Sequence, residues 1–137
     1  MGLEFSTAEE FCGLFGIDTQ RGGAADFCRI VSTAAALRFY YLPGGVVDAV
    51  TEIMRERRIS PRLFFSNVRR AMAPALGAGR DTLAALGVIV RGEGDHITVY
   101  ELAGALAGAL AREGYVTIDR VRAGEIATTI TQGRGGK

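Results

Sequence analysis

The chain reads as a mainly helical single domain that contains a helix-turn-helix and carries one or two short β segments near its C-terminus. Three observations predict this. Apolar residues recur every three or four positions through most of the first half, the period of a helix with one buried face. Ser60-Pro61 interrupts that pattern where one helix stops and another restarts, since serine caps a helix N-terminus and proline suits the first helical position. Ser6-Thr7-Ala8-Glu9 and Thr98-Val99-Tyr100-Glu101 are both capping-box patterns.

The elements follow in order. The first capping box opens a helix running to Phe15, where Gly16 closes it. Gln20 to Gly23 is a loop. A long helix from Ala24 to Tyr41 is apolar almost all round, with Phe27, Ile30, Val31, Ala34, Ala35 and Leu37, and is expected at the centre of the core. Pro43-Gly44-Gly45 ends it. Val47, Val50, Ile53 and Met54 give the next helix its apolar face, and Arg57-Arg58 place cations at its negative end. After Ser60-Pro61, a further helix carries Leu63, Phe64, Val68, Ala71 and Met72 on one side, and Pro74 is expected to stop or kink it. Gly77 to Gly79 leads into a short helix over Asp81 to Leu86, and Val88-Ile89-Val90 reads as a short strand or an extended loop. The second capping box starts a helix over Tyr100 to Arg112 with Leu102, Leu106 and Leu110 at spacing four and Gly114 as its cap. Tyr115 to Arg122 alternates enough to predict a β-strand, and residues 133–137 form a flexible tail to a domain spanning 1–132. Gly104 and Gly108 mark a place where a neighbour packs closely.

Between Arg55 and Arg80 there are seven arginines against one acid, Glu56, whereas the whole chain balances at +1. Positive charge concentrated on two helices joined by three to four residues is the electrostatic footprint of duplex DNA recognition, with the second helix in the major groove. The candidate DNA-binding residues are Arg57, Arg58 and Arg62 as backbone contacts, Arg69 and Arg70 as base-edge or phosphate readers, Asn67 as an adenine reader, and Ser66 beside them. A plain pair of antiparallel helices with a solvated arginine face has the same pattern.

The remaining composition narrows the class. Apolar residues make up 48% of the 137 and charged residues 23%, enough to bury one core. The longest apolar run, Leu102 to Ala111, falls well short of the roughly 18 to 20 residues that span a bilayer. Glu4, Glu9 and Glu10 sit where a secretory signal would carry cations, so a cytoplasmic location is expected. Cys12 and Cys28 lie in apolar helical patterns, as buried reduced thiols do. His96 is the single histidine, and HExxH, CxxC and a phosphate-binding glycine loop are all lacking. Asp95 and His96 have no nucleophile nearby in sequence. The expectation is a protein that is not an enzyme and uses neither cofactor nor metal.

The order of segments resembles the C-terminal DNA-binding effector domain of the sporulation-initiation response regulator. Ser66-Asn67-Val68-Arg69-Arg70-Ala71-Met72 parallels that family's S-R-V-E-R-A-I on its recognition helix. Asp81-Thr82-Leu83-Ala84-Ala85-Leu86-Gly87 is similar to its D-S-I-S-S-L-F-G, and Ile97-Thr98-Val99-Tyr100-Glu101-Leu102-Ala103 to its P-T-N-S-E-F-I-A. The resemblance covers Phe15 to Glu113 and implies a helical DNA-binding fold. It departs where the family's first recognition-helix arginine falls on Asn67, its glutamate on Arg69, and its later arginine and histidine on Ala73 and Pro74. Leu63, Phe64 and Phe65 replace polar residues that open the family's recognition helix. The 137 residues leave no room for the receiver domain that precedes this effector, so the resemblance implies a free-standing, diverged copy.

Two functions follow as expectations. The first is a transcription regulator reading duplex DNA through the helix-turn-helix. The second is a protein-interaction module on the same fold, with Phe64 and Phe65 turned toward a partner regulator or a second copy. Those two residues are consecutive, about 100° apart on a helix, and only Phe64 shares the spacing of Val68, Ala71 and Met72. Phe65 is therefore expected at or near the surface.

Overall fold

In a computed structural model of the chain, residues 22–77, 84, 98–114 and 116–135 are described. They form helices α1 (Gly22–Phe39), α2 (Val46–Arg57), α3 (Pro61–Gly77), α4 (Val99–Glu113) and α5 (Arg120–Gly135), with no strand among them. The capping box at Ser6, Cys12, the strand or loop at Val88 to Val90, and Asp95-His96 lie outside the described residues. Of the expected helix at 81–86 only Ala84 is described, and it is helical.

Helix α1 is the hub. It packs against all four other helices, while α2 and α3 meet α1 and α4 far more than they meet each other. The reason is compositional: Ala24, Phe27, Cys28, Ile30, Val31, Ala34 and Ala35 are all buried, so the helix is apolar on nearly every side. Leu102, Leu106 and Leu110 of α4, Val50 and Ile53 of α2, and Phe64 and Val68 of α3 complete one core around it. Leu37, Ala127 and Ile130 form a second, smaller cluster that attaches α5 to the far end of α1, with Leu42 and Ile126 packed on it.

Helix α1 stops before the Pro-Gly-Gly segment. The Leu42 N–H donates to the Leu37 carbonyl at 2.9 Å and the Tyr41 N–H to that of Arg38 at 3.2 Å. These are the paired bonds of a Schellman motif, and Leu37 and Leu42 make its usual apolar contact. The left-handed position belongs to Tyr41, at φ 57.

Most helix starts match their sequence signals. Ser60 Oγ accepts the Leu63 N–H at 3.2 Å, with Pro61 as the first residue of α3. Thr98 Oγ1 accepts from Glu101 N at 3.1 Å and Glu101 Oε1 from Thr98 N at 3.0 Å, and Gly114 closes α4 at φ 77. Helix α2 ends on Arg57, with Arg58 left-handed at φ 55.

Four expectations are corrected. The strand expected over Tyr115 to Arg122 is absent from its described residues, 116–122: Asp119 Oδ1 accepts the Arg122 N–H at 2.8 Å and caps a helix that begins at Arg120. Helix α3 does not stop at Pro74 but continues to Gly77. The proline removes one donor, and the carbonyl it deprives belongs to Arg70, an exposed residue that water can reach. Val47 and Leu63 are not core residues, being 56% and 50% exposed. Helix α5 runs to Gly135, so residues 133–135 of the expected tail are helical.

The close approach expected at Gly104 and Gly108 occurs elsewhere. A Cβ on Gly104 would meet only Val46 at 3.8 Å, and on Gly108 the Arg38 guanidinium at 3.4 Å. Gly23, placed in a loop by the sequence, lies instead in the first turn of α1 and against the backbone of α3.

Candidate nucleic-acid interface

Helix α3 is amphipathic, and its core contacts orient its outer side. Phe64, Val68 and Ala71 are buried under α1 and α4. At about 100° per residue, Arg62, Ser66 and Arg69 then fall on the opposite face, with Leu63 and Arg70 beside them. All five are exposed. The side chains of Arg58, Arg62, Arg69 and Arg70 make no hydrogen bond or ion pair among the described residues, and Arg58 sits in the turn leading to α3.

The other arginines of the cluster are committed. Arg57 Nε donates to Asp26 Oδ2 at 3.2 Å, and Asp26 is only 6% exposed, so this pair ties α2 to α1. Arg55 pairs with Glu52, three residues earlier on the same helix. Glu56 is taken by Arg29 of α1 at 2.7 Å. Asp26 and Glu52 both lie outside the window in which the arginines were counted. Glu52 was readable from its helical spacing to Arg55; Asp26 was not, because it comes from a helix distant in sequence. Arg80 lies outside the described residues.

Asn67 does not join the arginine face. It is half-buried on the α1 side of α3, and its backbone carbonyl lies beneath Gly23.

The two phenylalanines separate. Phe64 is fully buried, which removes it as an interface residue. Phe65 is half-buried at the surface boundary, edge-on to Phe64 at 5.6 Å between centroids and tilted against Tyr100 of α4 at 5.9 Å. Phe65, Arg69, Thr98, Val99 and Tyr100 line a shallow groove of ≈ 190 Å³ between α3 and the start of α4.

Among the described residues, no group of three or more His, Cys, Asp or Glu side chains is placed to hold a metal ion. No helix among them is long and apolar enough to cross a membrane. Cys28 is buried as a free thiol.

A scan against protein-family models and searches of curated proteins and of solved structures found no match to this chain.

Proposed function

We propose that the protein binds duplex DNA through α2, the turn at 58–60 and α3, acting as a transcription regulator in the cytoplasm. The observation that carries this reading is the outer face of α3. Arg62, Ser66, Arg69 and Arg70 are exposed and unpaired among the described residues, on a helix whose opposite face is locked into the core. An arginine held by a folded helix has five N–H donors and needs no partner broken before it meets a phosphate or a guanine edge.

The placing of α2 and α3 supports the same reading. Two antiparallel helices in a plain hairpin would bury their faces in each other, whereas these two turn separately onto α1 and α4. That leaves α3 free along its outer side, as a groove-entering helix must be. The resemblance to the sporulation effector domain points the same way, though Arg69 replaces a glutamate of that family and the contact pattern must differ.

Fluorescence anisotropy with random and genomic duplexes at two salt concentrations tests the reading. Binding that weakens steeply with salt, and weakens less steeply once Arg62, Arg69 and Arg70 are replaced by alanine, supports it. Failure to bind any duplex at low salt overturns it.

A second reading rests on the Phe65–Tyr100 groove, an apolar strip with Arg69 at its edge and Leu63 exposed further round α3. In this reading the same helix face meets another protein or a second copy of the chain.

A further inference from the structure

The cleft between α1 and α5 combines two arginines with three hydroxyl side chains. Arg29, Ser32 and Thr33 lie at helical spacing on one face of α1, and Arg122 and Ile126 lie opposite them on α5. Thr117 and Ile118, from the segment joining α4 to α5, close one end. That segment is pinned by the Tyr40 hydroxyl, which donates to the Ile118 carbonyl at 3.0 Å. The cleft measures ≈ 290 Å³.

Thr33 is the telling residue. Asp26 and Thr33 are the two buried polar residues described, and Asp26 is satisfied by Arg57. Thr33 is 8% exposed, and its hydroxyl has no hydrogen-bond partner among the described residues. Threonines in helices commonly satisfy themselves by donating to the carbonyl four residues back, as Thr51, Thr128 and Thr129 do here. Among the described residues, no side-chain oxygen or nitrogen fully sealed from solvent lacks a partner. The Thr33 hydroxyl therefore retains access to solvent, through the cleft that it lines. A hydroxyl so deeply placed, left unbonded by the protein and reached through the cleft, is free to bond whatever occupies it.

We infer that this cleft binds a small phosphate-bearing metabolite, held by the Thr33, Ser32 and Thr117 hydroxyls and by the guanidinium groups of Arg29 and Arg122. Two guanidinium forks and three hydroxyls offer more donors than the two oxygens of a carboxylate can use, and a tetrahedral phosphate matches them better. Arg29 and Arg122 are already paired, with Glu56 at 2.7 Å and Glu125 at 3.3 Å. Both pairs are exposed, where such contacts contribute little, and each uses one nitrogen of its guanidinium, leaving further N–H donors for a ligand. The first turn of α5 holds no acidic residue, and Asp119, which caps it, is engaged through Oδ1 by the Arg122 N–H. The site takes no lining residue from α2 or α3, so it stands apart from the DNA-binding reading.

Inorganic phosphate is the probe, compared with chloride at matched ionic strength. Phosphate should raise the melting temperature of the full chain and shift the amide resonances of residues 29–33 and 117–122. Thr33→Val keeps the side chain's shape and removes its hydroxyl, so the free protein should melt no lower while its affinity for phosphate falls about tenfold. Arg122→Ala should weaken phosphate as well. The proposal is overturned if phosphate and chloride act alike, if both variants bind phosphate as the parent does, or if the resonance shifts centre on residues 58–70 instead.

Discussion

Gly23 and Asn67 are in backbone contact: a Cβ added at Gly23 would lie 2.1 Å from the Asn67 carbonyl oxygen and 2.9 Å from the Val68 nitrogen. Neither obstacle is the end of a flexible side chain, so the crossing of α1 and α3 must widen to admit even a methyl group. Gly23→Ala should therefore destabilise the protein by about 2 to 3 kcal/mol, outweighing the gain of about 1 kcal/mol in helix propensity. The urea midpoint checks this, and a midpoint equal to or above that of the parent would mean the helices are not held so close.

Arg57 and Arg70 should part company when each is replaced by alanine. Arg57→Ala leaves the buried Asp26 carboxylate without its partner and should cost about 1 to 3 kcal/mol of stability. Arg70→Ala removes an exposed, unpaired side chain and should change stability by less than about 0.5 kcal/mol. On DNA the order reverses, with Arg70→Ala costing about 1 to 3 kcal/mol at a preferred site. Denaturation and anisotropy on the same two variants separate scaffold from reader.

Tyr41 occupies a left-handed position that glycine fills at lower cost, and its side chain is 95% exposed. Tyr41→Gly should relieve about 1 to 2 kcal/mol of backbone strain against a loss of about 0.5 to 1 kcal/mol in unfolded-state entropy. A net rise in stability of about 0.5 to 1 kcal/mol is expected by thermal or urea unfolding. A fall would show that the phenol ring makes a contact beyond the Schellman turn.

Phe65→Ser tests the interaction reading. The side chain is half-buried against Tyr100, so its removal should leave the helical circular dichroism intact. Self-association in sedimentation, or capture of a partner, should weaken. Unaltered sedimentation and pull-down would leave that reading without its main residue.

Local signals were legible in the sequence and long-range ones were not. Thr98-x-x-Glu101 and Ser60-Pro61 work through atoms three residues apart, so their motifs alone placed the starts of α4 and α3. Periodicity placed Phe64 inside and Phe65 at the boundary because the two differ by a fixed angle. It misplaced Val47 and Leu63, since a few apolar residues at helical spacing do not define how wide the buried stripe is. The strand expected at Tyr115 failed because Val116, Ile118 and Val121 alternate over too short a span to outweigh one capping aspartate. Gly23 against Asn67 and Asp26 with Arg57 join residues far apart in the chain, and no pattern in one sequence announces such meetings.

The division of the apolar residues into two clusters has a kinetic side. Helix α5 holds to α1 through Leu37, Ala127 and Ile130, apart from the main core that binds the other helices together. Its detachment exposes that small cluster and Ala123, none of which belongs to the main core, so it forms a natural unit of sub-global opening, below the free energy needed to unfold the whole chain. Amide protons of α5 are then the ones to exchange with solvent soonest among the helices, and the cleft it shares with α1 opens and closes at the same rate.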